Sequence, residues 1–549
     1  MQPTDPSDAR SATRAVGEEH MAADPAAHGS RSLARDFRWS YLPPLMVYVA
    51  AGISSLTAIV GTFFVKEYLG LSAEFLAALG FWAGLPWILK MPIGHLVDLI
   101  WRWKEWLIVL GAALITASLL IMIGLLAWPA TMRETLPIAS WYVLAVILAP
   151  VGYVVQDVVA DAMTVEAVPI RHDDGSPIAP ERQRAMHVTM QTLGRVAIIG
   201  GGVLVAVVNV FMLRGAADLP EPQKVAVYVR IHEFALAIPV ISLLGIVLAA
   251  LIRRSSRAVA EEAARRDAAT PPPVNWPLLG GGLAFALVSI LVALKGGKWS
   301  EEIVFALSMS IIVAMLWRLA RELSPGARNT MIGTAIAVFV FRAVPGPGAG
   351  STWWMIDQLG FDQEFLSRLS LLGSVLTLVG LFLFRRLMAE RSIYHVIVVL
   401  TVAGTVLSLP TLAMYHGLHE WTAAHTGGLV DARTIALIDT ALESPLGQIA
   451  MVPMLAWIAN SAPERLKATY FAVMASFTNM ALSASQLLTK HLNATWVVTR
   501  EVKDAVTGTV EVAADYSQLG TLLLVVLVIG FVVPLATVAV LRGLRLSSS

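Results

Sequence analysis

The sequence predicts an all-α polytopic membrane protein of about fourteen transmembrane helices, and three observations carry that expectation. Of 549 residues, 56% are hydrophobic and only 14% are charged, where soluble domains carry nearer 25% charged residues. Apolar windows of roughly 20 residues, the length that crosses a bilayer, recur from residue 42 to residue 541. A loop sequence from the first part of the chain reappears in the second, at the matching place between two such windows.

Composition also excludes several classes. The net charge of +1 leaves no basic face or arm for a nucleic acid. With no cysteine, disulfides, thiol catalysis and cysteine-ligated metal are ruled out, and no cofactor is expected. Residues 1–38 are rich in Ala, Asp, Arg, Ser and Pro and have no apolar run of seven, so they lack a signal-peptide core. They read as a disordered cytosolic tail, with Met1 or Met21 as the start.

Six spans come first, at about 42–64, 73–98, 106–127, 138–165, 186–211 and 231–251. Basic residues then set orientation. Arg35 and Arg38, Arg102 and Lys104, Arg171, Arg182 and Arg184, and Arg253, Arg254 and Arg257 fall before the first span and in alternate loops. This places both termini in the cytosol, with the loop holding Arg214, Lys224 and Arg230 as a weak exception. Residues 39–251 thus form a six-helix half, and the charged, Pro-ended stretch 252–275 is a cytosolic linker. Two further spans, about 276–294 and 303–320, occupy 276–320; the second reaches full length only if Arg318 snorkels. The remainder, 321–549, holds six more spans at about 329–350, 365–387, 393–413, 434–460, 466–489 and 518–541. Arg385, Arg386, Arg391, Arg465, Lys467, Arg542 and Arg545 mark its cytosolic side.

The internal repeat supports this division. FFVKEYLGLSAEFLAALG at 63–80 aligns with WWMIDQLGFDQEFLSRLS at 353–370, sharing Leu69/Leu359, Gly70/Gly360, Glu74/Glu364 and Phe75/Phe365 among others. ERQRA at 181–185 is echoed by ERLKA at 464–468. Tandem six-helix halves of one orientation are the architecture of major facilitator transporters, whose substrate site lies between the halves near the midplane.

Charges inside the apolar windows are the candidate site. Asp157 and Asp161, four residues apart in PVGYVVQDVVADAMTVE at 150–166, share one helix face. Residues 138–155 upstream are uncharged and extend about 27 Å at ~1.5 Å per residue, which puts the pair within the membrane. A carboxylate there must be protonated, paired or facing water. Burial and a like-charged neighbour both favour holding a proton, so Asp157 and Asp161 are the candidate proton carriers; a passive ion-pair lock is the alternative. By helical rise, Lys90 and Arg195 fall in the same layer, as possible substrate contacts or as plain partners of the aspartates. Asp439 and Glu443 form a second pair four apart, placed nearer the outer face by counting back from Pro463. Arg342 sits in mid-span before Pro345-Gly-Pro-Gly, where the helix must break and free backbone groups. Arg342, Asp439, Glu443 and Asn479 complete the candidate substrate contacts. Gly200–202 and Gly280–282 read as close helix contacts. His95, His187 and His232 have no metal-ligand spacing and read as loop or interface residues. Trp353 and Trp354 fit an outer aromatic belt first and a stacking platform for a flat ring second.

Gly94, Asp98, Arg102 and Lys104 after the second span resemble the signature loop of the major facilitator superfamily, in which the Asp pairs with basic loop residues as a conformational latch; the second Gly of the usual form is missing. Pro86-Trp87-Ile-Leu-Lys90, Gln156-Asp157-Val-Val-Ala-Asp161-Ala and Phe341-Arg342-Ala-Val-Pro345 with the following LGFDQEFLSRL extend the likeness. Together they resemble the folate/biopterin transporter family of that superfamily over about residues 42–490. The resemblance implies proton-linked movement of pteridines or folates; the expectation is a monomeric carrier of such a solute, or of another polar organic anion, in the inner, cytoplasmic membrane. The QDxxxDA element is shared with muropeptide permeases, some of which carry two additional spans, so a glycan-peptide permease is the alternative within transport. A non-transporting membrane assembly factor is the alternative outside it. No G-x-x-x-x-G-K-[ST] loop is present for ATP, and no nucleophile–base or metal-binding pair stands out for an enzyme.

Overall fold

The computed structural model describes residues 37–169, 176–255, 273–321, 323–384, 392–446, 467–503 and 510–546. The tail 1–36, most of the linker (256–272), Arg171, Arg257, Arg385, Arg386, Arg391, Arg465, Pro463 and part of the ERLKA echo lie outside them. The described chain is helical throughout, apart from a small β-pair in one loop.

Eleven helices among the described residues are long and apolar enough to cross a bilayer. They include α1 (Trp39–Tyr68), α2 (Ala73–Leu99), α3 (Glu105–Ala127), α4 (Ile138–Ala167) and α6 (Glu221–Ser255). Between α4 and α6 runs α5 (Pro180–Met212). The inserted pair is α7 (Trp276–Lys295) and α8 (Ser300–Arg321). Where one span was expected at 329–350 there are two helices, α9 (Pro325–Arg342) and α10 (Ala349–Asp357), with a non-helical break between them. Then follow α11 (Gln363–Leu383), α12 (Ile393–Tyr415), α13 (Ala432–Glu443), α14 (Lys467–Thr495) and α15 (Leu519–Gly543). Leu and Val side chains on the outer faces, such as Leu120, Leu204, Val247 and Val528, are exposed, as expected of surfaces that meet lipid.

The break at 343–348 frees the backbone groups expected there, and α14 satisfies them. Ser485 donates to the Val344 carbonyl (2.7 Å), Thr489 accepts from the Gly346 N–H (3.0 Å), and Asn493 donates to the Pro347 carbonyl (3.3 Å). These three polar residues recur every fourth position, so they form one stripe on α14. Gly348 completes the turn at φ +76°, and an added Cβ would lie 2.6 Å from Asn493 Nδ2.

The repeated loop is repeated in three dimensions. Gly70 and Gly360 both adopt the left-handed conformation, at φ +54° and +65°. Two residues on, Ser72 accepts from the Phe75 N–H and Asp362 from the Phe365 N–H, so each loop ends in an N-cap opening the next helix.

Small residues fix the tightest crossings. α1 lies on α5 where a Cβ on Gly52 would fall 2.2 Å from the Ile198 carbonyl oxygen and one on Gly201 2.8 Å from Gly52 Cα. Gly111 and Gly152 do the same for α3 and α4, each Cβ meeting the other's carbonyl oxygen at 2.6 Å. Of the second Gly run, Gly282 abuts Pro92 of α2 at 2.7 Å, while Gly200, Gly280 and Gly281 face open space. Across the bundle, α2 packs on α14 and α5 on α11, while α8 packs on α14 and α7 on α2.

Only one member of the first Gly run should therefore matter to packing. Gly201→Val should lower the thermal-unfolding temperature in detergent and the folded yield, and Gly200→Val should leave both near wild type. Equal losses in the two variants would contradict the crossing.

Candidate functional site

The layer of charge expected in the membrane is assembled by three helices. In α2 a 3-10 turn over Leu85–Leu89, containing Pro86, precedes the α-helical segment Lys90–Leu99. Lys90 Nζ lies 2.6 Å from Asp157 Oδ2 and 2.8 Å from Asp161 Oδ2. One ammonium therefore bridges both carboxylates of α4, whose spacing of one turn sets their separation. From α1, the Tyr48 hydroxyl donates to Asp161 Oδ1 at 2.6 Å. The side chain of Asp157 is 14% exposed and that of Asp161 44%. Asp161 is thus the more exposed member of the pair. Neighbouring Gln156 points the other way and is buried; it donates to the Ile108 carbonyl and accepts from Ser242, tying α4 to α3 and α6.

Arg195 of α5 is half-buried and near enough to act electrostatically on Asp157 and Tyr48. It forms no ion pair within 4 Å among the described residues, so Lys90 alone is the direct partner of the pair. Arg342, at the last turn of α9, is half-buried and has neither a hydrogen bond nor an ion pair among the described residues. Asp439 keeps one buried carboxylate oxygen without a partner, and Glu443 is exposed. Asn479 is half-buried and makes no hydrogen bond among the described residues.

The expected latch is arranged differently. Asp98 and Arg102 are exposed, and Asp98 is bonded to neither Arg102 nor Lys104 among the described residues. Lys104 is instead buried, at 2% exposure, and bonded to Glu166 at the end of α4 (2.7 Å), over the ring of Trp101. Glu105 pairs with Arg253. The reason is local: the turn at Trp101–Trp103 swings Lys104 inward toward α4. Nor does Gly94 mark a close approach, since a Cβ there would meet only Val158 Cγ1 at 3.9 Å.

Two further expectations need correction. Trp353 and Trp354 are buried, at 2% and 5% exposure, and are not an interfacial belt. His232 is buried at 1% exposure and lines a cavity of about 390 Å³ together with Trp353.

Sequence reasoning missed a second polar cluster, at the end of the bundle where the repeated loops lie. Lys66 of α1 pairs with Asp357 of α10 at 2.5 Å, and Asp357 also accepts from the Tyr516 hydroxyl. Arg500, after α14, is 4% exposed, donates to the Lys66 and Leu71 carbonyls and covers the ring of Trp353. Gly215 N–H donates to Glu364 (2.9 Å) and Gln363 to the Tyr228 hydroxyl (2.7 Å). Each of these links, except those of Tyr516 to Asp357 and of Arg500 to the Trp353 ring, joins residues before 256 to residues after 322. A third cluster ties down the inserted pair: Glu301 and Glu302 of α8 receive Lys490 of α14 at 3.0 and 3.2 Å, and Trp82 of α2 donates to Glu301. Lys490 was the available signal, a lysine just past the apolar window of 466–489.

A family model described as the BT1 family matches residues 50–547. A folate-biopterin transporter of Synechocystis sp. is 22% identical over 471 residues, covering 83% of this chain and 76% of that one. Among solved structures, a peptide transporter POT in complex with sulfate aligns at a TM-score of 0.56 and 15% identity, covering 93% of this chain and 95% of the other. A POT family transporter with a thioalcohol-conjugated peptide aligns at 0.58 and 11% identity, covering 94% and 97%. These likenesses establish a shared fold.

Removing one partner of a buried ion pair costs about 3–5 kcal/mol, because the remaining charge is left uncompensated; the exposure of Asp161 reduces that figure here. Lys90→Met should therefore lower thermal stability clearly, and adding Asp157→Asn and Asp161→Asn should restore most of the loss. A triple variant no more stable than Lys90→Met would refute the bridge.

Proposed function

The chain belongs to the BT1 family and is an integral membrane transporter rather than an enzyme, and from that premise we propose a proton-coupled carrier of a folate-like, pteridine-like or other polar organic anion. The observation that carries this reading is the single ammonium of Lys90 shared between Asp157 and Asp161. On this reading the chain has fourteen spans, two six-helix halves around the inserted pair α7 and α8. It acts as a monomer in the cytoplasmic membrane with both termini in the cytosol.

The proposed cycle follows from charge balance. With both carboxylates ionised, Lys90 is held between them. A proton arriving through water reaches Asp161 first, because Asp161 is the more exposed of the two. Protonation weakens its hold on Lys90 and on the Tyr48 hydroxyl, so α1, α2 and α4 are released from their common anchor. Lys90 is already committed to the aspartates, which makes Arg195 and Arg342 the cations open to a substrate anion. Arg342 offers a rigid pair of donors to a carboxylate. Lys66–Asp357 and Arg500 close one end of the path in this conformation, and must open in the opposite one.

Uptake into proteoliposomes, with and without an imposed pH gradient, tests the coupling. Asp161→Asn and Asp157→Asn should bind folate and exchange it across the membrane, but fail to accumulate it against its gradient. Full gradient-driven accumulation by both single variants and the double variant would remove the pair from the proton path. Arg342→Lys should keep the charge yet weaken folate binding by about tenfold, as expected for loss of a bidentate, charge-assisted contact. Unchanged affinity in the Lys and Gln variants would exclude Arg342 from the site.

A further inference from the structure

The cavity of about 390 Å³ beside Trp353 is separate from the charged layer. Its α4 wall ends at Ala149, eight residues short of Asp157, which is about 12 Å by helical rise. Its size falls within the range of about 300–1,000 Å³ typical of ligand pockets. Not one Asp, Glu, Lys or Arg is among its lining residues. An ion would lose its hydration there without compensation. Aromatic surface comes chiefly from the half-buried Tyr142, with Trp353 almost wholly buried behind it in the lining, and polar groups from Thr57, His232 and Thr352.

His232 shows that the polar groups are aimed and not incidental. Its Nδ1 lies 2.9 Å from the Tyr228 carbonyl oxygen. A carbonyl only accepts, so Nδ1 carries the hydrogen and the neutral ring leaves Nε2 as an acceptor. That nitrogen has no partner among the described residues, although the side chain is buried. Neither the Tyr142 nor the Thr352 hydroxyl has a partner among them, so both can donate or accept. A ligand that matches must be neutral and flat, with N–H and carbonyl or ring-nitrogen groups along its edge.

We propose that this cavity is a binding subsite for an uncharged, flat nitrogen heteroaromatic ring, stacked against aromatic surface and hydrogen-bonded by His232, Tyr142 and Thr352. It rests on the transport reading above, in which it takes the ring portion of the substrate while the arginines take the anionic portion. Its place under the closed end of the bundle follows from the same helices. Val65 lines the cavity and Lys66 is the next residue; Trp353 lines it and Asp357 lies one turn on. A ring bound there would rest directly beneath the ion pair.

Gly61 offers a clean test, since it lines the cavity and an added Cβ would meet nothing within 4 Å. Leu there is also a better helix former than Gly. Binding to the full-length protein in nanodiscs would be measured with biopterin and adenine as uncharged ring probes, folate as ring plus anion, and p-aminobenzoylglutamate as the anion without the pteridine. Gly61→Leu should weaken the ring probes at least tenfold and leave p-aminobenzoylglutamate unchanged, with Gly61→Ala close to wild type. Tyr142→Phe and Thr352→Val should each weaken biopterin about 2- to 10-fold, the usual worth of one hydrogen bond. Undiminished ring binding in Gly61→Leu overturns the subsite, as does a wild type that binds none of the three ring-bearing probes. Should adenine bind in a Gly61→Leu-sensitive way while the pteridines do not, the subsite stands and the folate or pteridine assignment falls.

Discussion

The interaction on which the first helices depend is the bridge from one lysine to two aspartates. A lone ammonium or carboxylate in the middle of a bilayer costs several kcal/mol, so Lys90, Asp157 and Asp161 are stable only where α2 and α4 bring them to one depth. Tyr48 adds α1 to the same point. Two cations and two carboxylates, counting Arg195, leave the layer neutral as a whole. Yet the direct contacts are unequal: Lys90 takes both carboxylates and Arg195 stands off. On the proposed reading that inequality gives the layer a use beyond packing, because Arg195 would be the cation that answers an incoming anion without breaking the bridge.

A second constraint is set by the two equivalent loops. Each turns on a left-handed glycine, Gly70 or Gly360, and each opens the next helix with a side-chain cap, Ser72 or Asp362. The loops come together at one end of the bundle, where Lys66 reaches Asp357 and Arg500 reaches the Lys66 and Leu71 carbonyls. The hydrogen bonds of Gly215 and Gln363 join the first helices to the later ones near these loops. Deeper in the bundle the direct link is of another kind, a Ser476 hydroxyl on the Ile88 carbonyl. The repeat therefore supplies matched rigid corners, and the residues that differ between its copies supply the lock.

The sequence carried the helices well because a bilayer imposes a length and a composition that ordinary residue counting detects. Among the described residues the expected apolar windows coincide with helices, although most of 434–460 lies outside those residues, and the break after Arg342 lies where Pro345, Gly346, Pro347 and Gly348 required it. The pairing of Lys90 with Asp157 and Asp161 was legible from depth alone, since all three are anchored to helices of known rise. Residues whose roles depend on side-chain direction were not legible. Lys104 turned to Glu166 instead of Asp98, Trp353 turned inward, and His232 faced a cavity that no periodicity announces. The Ser485, Thr489 and Asn493 stripe was visible as a spacing, but nothing in the sequence connected it to a backbone break some 140 residues earlier.

Helix α1 is the element common to all of these features. It carries Tyr48 at the charged layer, Thr57 and Gly61 at the cavity and Lys66 at the ion pair with Asp357. Its inner part is fixed: Gly52 lies against Gly201 and Ile198 so closely that no side chain fits between. Just beyond that contact, Ser54–Thr57 winds as a 3-10 turn, a weaker arrangement often found at hinges. The outer part from Ala58 onward is then held by the Lys66–Asp357 pair and by Arg500, polar contacts that water can replace. An anchored inner segment, a weak turn and an outer segment held by replaceable contacts make α1 able to bend at Thr57 without disturbing Tyr48. On the proposed cycle, the outer part of α1 can therefore move about Thr57 while Gly52 stays against α5, so release of the Tyr48–Asp161 bond and opening of the Lys66–Asp357 pair are separate steps, linked through the ligand rather than through a rigid lever.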